Sequence, residues 1–597
     1  RTVRCRRHLS DPWFDDDCRA AKRSVRQFER TTRRVDPTDT VAATAAKAAW
    51  YDRRRSYNTL LRRKRETFWQ SKVDSERSNP RQLWRSVDAL LGRGRVPVSS
   101  DVGAVELHDF FDDKVAGVRA STHDAPPPTF TPAPLGCSFR DFRPLTAVDV
   151  VAAVRLLPDK QCVSDPLPTR LLKDNSEVLA PFLVELFNRS MQHGFVPTMF
   201  KSAYITPLLK KPDLDPADVK SYRPISNLSV LSKLLERLVA KQLLDHLVAS
   251  RLLPELQSAY RAYHSTETAV LKVISDILQA VDSGDLAVLT LLDLSAAFDT
   301  VDHATILRRL QVSYGLDGNV IGWFTSYLGR RSQSVRSGVS RSTSKLVLCG
   351  VPQGSVLGPI LFVLYTADLI RLIGSYNLCP HLYADDTQIY GYCSPSATAE
   401  LQSRVSACID AVALWMRSNR LQLNTAKTEV LWCSSARRQH QIPSATLMVG
   451  TDAVQPASSV RDLGIYLDAD VSMRTHVSKT VSGCFAVLRQ LRSISRSVTR
   501  PVLISLVVSL VLTRLDYGSA TLAGLPDSLL DRLQSVLNAA ARLVSSARKF
   551  DHVTPLLRDL HWLPVRQRIT FRLAVLAFRC LRAMGTAVPC YVTNPRR

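Results

Sequence analysis

Two adjacent carboxylates, Asp385 and Asp386, constrain the fold of this chain more than any other feature of its sequence. They follow Tyr383 and Ala384, and apolar-rich sequence flanks the pair on both sides. Like charges close together repel each other, so a pair of this kind suits a strand only where a cation neutralises it. The pattern therefore predicts that carboxylates meet a positive charge at this point of a sheet.

A second apolar segment, residues 286–292, ends in the single carboxylate Asp293. Three carboxylates from two strands suit Mg²⁺, a hard cation that accepts carboxylate oxygens and keeps coordination sites open for phosphate. Two such ions about 4 Å apart commonly catalyse in-line displacement at phosphorus. We therefore expect Asp293, Asp385 and Asp386 to form a metal site for chemistry on a phosphate.

The charge of the chain indicates a polyanionic partner. Lysine and arginine outnumber aspartate and glutamate by 79 to 54, which gives a net charge of +25. A nucleic acid fits this excess better than an anionic membrane surface. We find no apolar run of the roughly 18 residues that a membrane-spanning helix needs, and the best candidate, residues 502–512, is short. No membrane partner is expected.

Composition divides the chain into four parts. Residues 1–95 are rich in arginine and have a helical pattern, and residues 96–145 read as a linker around a short helix at 105–118. Residues 146–474 mix helices and strands without strict alternation, which predicts an α+β fold, and residues 475–597 are mostly helical. The arginine clusters at 53–55 and 62–65 are placed either to follow a phosphate backbone or to form a solvated helix face.

Strand-like segments lie at residues 203–209, 286–293, 345–348 and 382–390. The predicted helices are residues 42–69, 148–157, 178–193, 229–252, 477–498, 502–515, 529–545 and 566–583.

Short motifs add candidate phosphate ligands. The small residues 295–297 after Asp293 would let backbone N–H groups approach a phosphate, whereas Asp299 and Asp302 are expected to cap a helix. Glycines in the loop 350–359 would let the backbone approach a ligand closely, and its Gln353 offers both a donor and an acceptor.

Three cationic residues are further candidates. Lys210 and Arg223 flank a loop of about ten residues and are placed to bind a triphosphate. Arginine binds phosphate through two parallel hydrogen bonds, whereas lysine acts as a point charge. Lys427 precedes the strand-like segment 430–433, where an ordinary surface lysine is the simpler interpretation.

The order of these blocks resembles the reverse transcriptase of a non-LTR retrotransposon of the LINE type, close to the jockey group. The matching blocks are residues 222–227, 257–261, 264–269, 292–303, 350–359, 383–386, 423–429 and 463–464. The resemblance implies a right-hand polymerase, with a palm built on an antiparallel sheet. It assigns fingers and palm to residues 146–474, a helical thumb and C-terminal region to 475–597, and a basic helical extension to 1–95.

The resemblance also implies a role for each candidate residue. Asp293, Asp385 and Asp386 would hold two Mg²⁺ ions, for which Mn²⁺ could substitute, and the carbonyl of Leu294 would complete one metal site. Phe298 would exclude the ribose 2′-OH, and Lys427 would protonate the pyrophosphate leaving group. The remaining assignments are triphosphate contacts for Lys210 and Arg223, a nucleotide and template contact for Gln353, and a primer-gripping turn at residues 463–464.

These roles together predict an RNA-directed DNA polymerase that adds dNTPs to a DNA primer on an RNA template. The family resemblance further predicts that the protein acts in the nucleus, after a cytoplasmic ribonucleoprotein stage. One alternative is a catalytically inactive relic that still binds nucleic acid. Another is an RNA-templated RNA polymerase, against which Phe298 argues. Intact elements of this kind carry an endonuclease ahead of the polymerase. The sequence has no second catalytic constellation, so we do not expect this chain to nick its target.

Overall fold

The computed structural model describes residues 12–36, 39–76, 86, 102–159, 165, 167–211, 214–338, 340–450, 452–495 and 498–582. The chain forms two compact units, one of Arg1–Val96 with Arg474–Phe578 and the other of Pro97–Met473 with Arg579–Arg597. Every candidate site residue predicted from the sequence lies in the second unit. The four-part domain division stays a prediction.

The helices of the described residues cover most of the segments predicted to be helical, with ends that differ by a few residues. They are α1 (Asp16–Arg34), α2 (Thr40–Glu76), α3 (Ala104–Ser121), α4 (Ala147–Arg155), α5 (Thr169–Asp174), α6 (Ser176–Gln192), α7 (Val230–Ala249), α8 (Thr266–Asp282), α9 (His303–Tyr314), α10 (Gly318–Leu328), α11 (Leu357–Thr366), α12 (Asp368–Gly374), α13 (Thr398–Ser418), α14 (Arg474–Ile494), α15 (Arg500–Val507), α16 (Thr513–Asp516), α17 (Asp527–Val544), α18 (Val553–Asp559) and α19 (Val565–Arg582). The predicted helix 502–515 is interrupted by a π-helical turn, Val508–Leu512.

The strands form two main sheets and three two-stranded pairs. They are β1 (Ser202–Leu209), β2 (Tyr222–Asn227), β3 (Leu286–Leu292), β4 (Leu294–Ser295), β5 (Arg331–Ser337), β6 (Ser340–Arg341), β7 (Lys345–Val347), β8 (Cys379–Tyr383), β9 (Asp386–Cys393), β10 (Gln422–Leu423), β11 (Glu429–Cys433), β12 (Leu447–Val449), β13 (Asp452–Val454), β14 (Ser459–Asp462) and β15 (Ile465–Asp468). The first sheet has the order β2-β1-β5-β6 with β7 also paired to β5, and the second has the order β11-β3-β9-β8. This mixture of helices and sheets confirms the predicted α+β class.

Strand β3 forms the centre of the second sheet. It pairs antiparallel with both β9 and β11, and all its residues except Leu291 are buried. A strand that is covered on both faces has a continuous run of apolar residues. This run made β3 recognisable in the sequence. Its last residue, Leu292, delivers Asp293 to the edge of the sheet.

The segment 382–390 was predicted as one strand, and that prediction is wrong. The chain turns back between β8 and β9, with Tyr383 paired to Asp386 and Ala384 in the left-handed region at φ +57°. The apolar sequence continues on both sides of the turn without a glycine or proline, so the pattern gave no sign of it. The buried amide oxygen of Gln257 accepts the N–H group of Ala384 at 3.1 Å and stabilises the turn.

One helical stretch, Leu357–Gly374, has the length and hydropathy of a membrane span, and 56% of it is buried inside the protein. The expectation that no apolar run reaches this length is therefore wrong. The stretch consists of α11 and α12 in succession, and its side chains Leu361, Phe362 and Leu364 belong to the main hydrophobic core. Buried core helices can have the same length and apolar composition, so this stretch is weak evidence that the chain crosses a membrane.

Helix α3 lies in the segment predicted as a linker, where a helix was expected at residues 105–118. One face of α3 is buried: Leu107 and Phe111 pack in a small core with Ile205, Tyr222 and Val335 of the first sheet. The side chain of the buried His108 lies 2.9 Å from the hydroxyl of Ser342. The helix is therefore an integral layer on the first sheet.

In the other unit, the two N-terminal helices are joined by ion pairs. The ammonium group of Lys64 on α2 lies 2.5 Å from the carboxylate of Asp15 and 2.8 Å from that of Asp17. The hydroxyl of Thr499, just before α15, donates to the side-chain oxygen of Gln70 on α2 at 2.9 Å. Of the predicted arginine clusters, residues 53–55, 62 and 63 are exposed, whereas Lys64 is used to hold α1.

A buried carboxylate connects α7 to the loop before α11. Glu236 is 1% exposed, and its Oε2 accepts the N–H groups of Val356 at 2.7 Å and Leu357 at 3.1 Å. Burial raises the pKa of Glu236. These two N–H groups begin α11 and have no partner within the helix, so the carboxylate fixes the loop that carries Gln353.

Replacing Glu236 tests this connection. Glu236→Ala leaves two buried N–H groups unpaired, and we expect the free energy of unfolding to fall by about 3 kcal/mol. Glu236→Gln keeps an accepting oxygen and removes the buried charge, so we expect a loss of less than half that size. Urea denaturation of both variants measures the difference. Equal losses would show that the packing volume of the side chain, and not its hydrogen bonds, matters here.

Candidate active site

Strand pairing brings the three predicted carboxylates to one end of the second sheet. Leu292 of β3 is paired with Thr387 of β9. In an antiparallel pair the next residue along one strand faces the preceding residue along the other, so Asp293 lies beside Asp386. Asp385 occupies the turn next to Asp386, and all three residues line one cleft of about 760 Å³.

Burial and neighbouring carboxylates raise the pKa values of Asp385 and Asp386. Burial raises the pKa of Asp386 to about 6, and the charges of Asp385 and Asp293 contribute to the rise. The pKa of Asp385 is raised mainly by burial and further by Asp293. A cation would relieve this repulsion, and carboxylate oxygens are the ligands that hard divalent cations prefer. The donor set therefore fits a divalent metal ion.

Asp293 is neutralised by Lys427. The ammonium group of Lys427 lies 2.7 Å from Oδ2 of Asp293, and the side-chain amide of Asn424 donates to the same oxygen at 3.1 Å. Within the described ranges, no three histidine, cysteine, aspartate or glutamate side chains stand ready to hold a metal ion in their present positions. Lys427 and Asn424 therefore both contact the same oxygen, Oδ2, of the carboxylate that Asp293 would offer to a metal ion.

The aromatic ring of Phe298 is held in place within the cleft. It stacks on Phe362 of α11, with ring centroids 4.6 Å apart and an interplanar angle of 22°. The backbone carbonyl of Phe298 accepts the N–H group of Val351 at 2.8 Å. A ring fixed in this way presents a rigid wall to a ligand.

The two aspartates after Phe298 have different roles. Asp302 caps α9 as predicted, since its Oδ1 accepts the N–H group of Thr305 at 2.9 Å. The same prediction for Asp299 is wrong: its Oδ2 accepts the side-chain amide of Gln353 at 3.0 Å, and it lines the cleft. Burial raises the pKa of Asp299 to about 7, against the opposing effects of Lys114 and Gln353.

The glycines of the loop before α11 approach the protein itself. Gly350 has φ +89°, and a Cβ atom there would lie 2.6 Å from the carbonyl oxygen of Asp299. Gly354 has φ +118°, and its Cβ would lie 2.6 Å from the carbonyl oxygen of Ser226 in β2. The sequence had suggested close approach to a ligand. The glycines let this loop join the turn after β4 to the first sheet, and the approach to a ligand stays a prediction.

Lys210 and Arg223 come from the β1–β2 pair of the first sheet. Arg223 is paired with Leu208, and the ammonium group of Lys210 donates to the carbonyl of Lys220 at 2.6 Å. Burial lowers the pKa of Lys210, and the nearby positive charges of Lys114, Lys427 and Arg223 lower it further. Both predicted cations therefore share the cleft with the carboxylates.

Sequence reasoning missed a buried row of polar side chains next to the turn that carries Asp385 and Asp386. Gln388 on β9 donates to Asp462 at 2.5 Å, and its oxygen lies 2.9 Å from Nδ1 of His381 on β8. His381 in turn contacts the hydroxyl of Ser258 at 3.0 Å. Asp462 precedes the turn 463–464, where Gly464 has φ +92°. The row links the predicted primer-gripping turn to the hairpin of Asp385 and Asp386.

The positions of these polar residues in the sequence did not indicate that their side chains are in contact. His381 faces Gln388 only through the pairing of β8 with β9, and their partners Ser258 and Asp462 are more than 70 residues away in the sequence. Gln257 belonged to a recognised block of residues, but its contact with the catalytic turn was not predicted.

Comparison with known proteins agrees with this geometry. The family described as "Reverse transcriptase (RNA-dependent DNA polymerase)" matches residues 209–467. The chain is 27% identical over 580 residues to a probable RNA-directed DNA polymerase from transposon BS of Drosophila melanogaster, an alignment that covers 92% of this chain and 62% of that protein.

Two further relatives come from the same group of elements. A probable RNA-directed DNA polymerase from the X-element of Drosophila melanogaster is 28% identical, over 70% of this chain and 46% of that protein. The RNA-directed DNA polymerase from the mobile element jockey of Drosophila funebris is 29% identical, over 56% of this chain and 36% of that protein. The chain therefore matches between about a third and two thirds of the length of these relatives. Residues 209–467 are thus similar to reverse transcriptases, and the chain as a whole is similar to the RNA-directed DNA polymerases of these mobile elements.

Proposed function

We propose that this chain is an RNA-directed DNA polymerase that transfers deoxynucleotides onto a primer 3′-hydroxyl, with an RNA strand as template. The observation that carries the proposal is the pairing of β3 with β9, which brings Asp293 beside Asp386 within one cleft. Reverse transcriptases use divalent metal ions, and we propose two Mg²⁺ ions here, with Mn²⁺ as a substitute. Such ions would activate the attacking hydroxyl and stabilise the charge on the leaving pyrophosphate.

The side chains around the carboxylates suit the other parts of this reaction. Phe298, fixed by Phe362, would exclude the 2′-hydroxyl of a ribonucleotide. Lys210 and Arg223 would contact the triphosphate, and Gln353 would line the pocket from the loop held by Glu236. Lys427 would donate a proton to pyrophosphate, which requires it to leave Asp293. The turn at Gly464 would hold the primer end.

The proposed partners are an RNA template, a DNA primer or target, and dNTPs. The exposed arginines of α2, at residues 53–55, 62 and 63, support an electrostatic contact with nucleic acid, whose strength would fall with salt. A chromosomal DNA primer would place the reaction in the nucleus. The competing proposal is a relic that binds nucleic acid without turnover. The complete set of three acids and the ordered Phe298 ring favour the enzyme.

Primer extension on poly(rA)/oligo(dT) with dTTP and Mg²⁺ tests the proposal directly. We expect incorporation by the unaltered protein. We expect Asp385→Asn to reduce it by about 10³-fold or more, because a lost metal ligand removes several kcal/mol of transition-state stabilisation. Asp245→Asn, at an exposed position on α7, is the matched control and should retain full activity. Binding of the duplex without incorporation by the unaltered protein would identify the relic, and an active Asp385→Asn variant would refute the metal assignment.

Sugar selection tests the role of Phe298. Phe298→Ala opens space for a 2′-hydroxyl, and we expect the preference for dTTP over UTP, measured as the ratio of kcat/KM values, to fall by about 10- to 100-fold. Phe182→Ala, an exposed aromatic on α6, serves as the control. An unchanged ratio in Phe298→Ala would remove Phe298 from the selection of the sugar.

Thermal stability tests the metal site without any turnover. The pKa of Asp386 in the folded protein, about 6, lies above its ordinary value of 3.8. Protonated Asp386 therefore contributes its full stabilisation of the folded protein below about pH 3.8, and this stabilisation is lost as the pH rises through about 6. We expect Mg²⁺ to raise the Tm more at pH 7.5 than at pH 5, because the carboxylates repel each other only when they are ionised.

Asp386→Asn should abolish most of this difference between the two pH values. A Tm rise of equal size at both pH values, or one that survives in Asp386→Asn, would mean that Mg²⁺ binds elsewhere. Differential scanning calorimetry with EDTA or Mg²⁺ provides both comparisons.

A further inference from the structure

Helix α3 forms one wall of the catalytic cleft, although it lies outside residues 209–467, the segment that the reverse transcriptase family matches. Its residues Phe111, Lys114, Val115 and Arg119 line the same cleft as the three carboxylates. Neither the sequence motifs nor the proposed function gives this helix a part in the reaction.

Contacts with the first sheet fix the position of α3. Leu107 and Phe111 are buried in the core of the first sheet. The ammonium group of Lys345, from β7, lies 2.9 Å from the carboxylates of both Asp109 and Asp112. A helix attached by both a core and ion pairs holds its cleft-facing residues at defined places.

The two cations that α3 presents to the cleft differ in their partners. Arg119 forms an ion pair with Asp302, the cap of α9, at 3.2 Å, so its charge is compensated. Lys114 is exposed, and no hydrogen bond or ion pair of its ammonium group is found among the described residues. Arg119 therefore has a structural partner, whereas Lys114 keeps its charge available for a ligand.

The surroundings of Lys114 identify which ligand it would meet. Among the neighbouring charges that lower the pKa of Lys210, after burial, Lys114 has the largest effect. It is also the largest opposing influence on the buried carboxyl of Asp299, which follows Phe298 and accepts from Gln353. Lys114 also lines one cleft with Lys210 and Phe298, which are proposed to contact the triphosphate and to select the sugar.

Several like charges facing one cleft repel each other unless an anion binds between them. Lys210, Arg223 and Lys427 were already candidates for phosphate contact, and Lys114 adds a cation from a different element, α3. A triphosphate carries several charged oxygens and accepts hydrogen bonds from several ammonium and guanidinium groups at once. A template phosphate has the same chemistry, but the surroundings of Lys114 are those of the nucleotide.

We propose that Lys114 is a further phosphate-binding residue of the nucleotide site, and that it contacts the triphosphate of the incoming dNTP from helix α3. This inference rests on the proposed function for the identity of the ligand. It makes a segment upstream of the matched family region part of the nucleotide site.

Equilibrium binding tests the inference without requiring catalysis. The full chain is bound to an RNA template annealed to a DNA primer that ends in a dideoxynucleotide, and dTTP is titrated in the presence of Mg²⁺. We expect Lys114→Ala to raise the Kd for dTTP about tenfold, because one charged hydrogen bond to phosphate is lost. Lys114→Arg should restore binding to within about threefold of the unaltered protein.

Two controls separate this effect from others. Lys241→Ala removes an exposed lysine of α7, outside the residues that line the cleft, and should leave the Kd for dTTP unchanged. The Kd for the RNA–DNA duplex without dTTP should also be unchanged in Lys114→Ala, as should its Tm.

Each alternative result has a definite meaning. If Lys114→Ala instead weakens duplex binding and lowers its salt dependence, the template strand is the ligand and the triphosphate assignment is overturned. If the Kd for dTTP does not change, Lys114 is an ordinary surface lysine and the inference is wrong. If the unaltered protein binds dTTP, with Lys114→Ala weaker, but fails to extend an ordinary primer, the inference holds and the proposed function fails.

Discussion

Repulsion among three carboxylates at one end of the central sheet is the constraint on which the rest of this site depends. The pairing of β3 with β9 holds Asp293 beside Asp386, and the tight turn at Ala384 holds Asp385 next to both. The sheet cannot relax this repulsion by moving the chains apart, because β3 is buried between its neighbours. The site relieves the repulsion only partly by itself, through Lys427, and the remaining charge makes a divalent cation a favourable ligand.

Hydrogen bonds of buried polar groups fix the relative positions of the loops and strands around the cleft, which the hydrophobic core alone would not specify. Apolar packing is not directional, whereas a satisfied buried hydrogen bond specifies one arrangement. Glu236 anchors the loop of Gln353, Gln257 supports the turn of the catalytic hairpin, and Gln388 with Asp462 connects that hairpin to the next one. Each contact joins two elements that contribute different residues to the cleft.

The parts of the site that could be predicted are those whose signal is local. The acids were visible because charged residues interrupt apolar runs at Asp293 and at Asp385, and Asp302 could be recognised as a cap from its place before a helix. The turn within the segment 382–390 was not predicted, because the segment contains no glycine or proline and its two aspartates were interpreted as metal ligands. Asp299 was mistaken for a cap because its true partner, Gln353, is more than fifty residues away and meets it only in the folded chain. Lys114 was overlooked for the same reason: its segment resembles a linker until α3 packs on the first sheet.

The central claim is that Asp293, Asp385 and Asp386 share divalent cations during nucleotide transfer. The most direct measurement is a crystal structure of the protein with an RNA–DNA duplex, dTTP and Mn²⁺, in which anomalous scattering locates the metal. The account predicts metal within coordinating distance of all three carboxylates, with Lys427 separated from Asp293. Metal bound elsewhere, or an intact ion pair between Lys427 and Asp293 in the presence of bound dTTP and Mn²⁺, would contradict it.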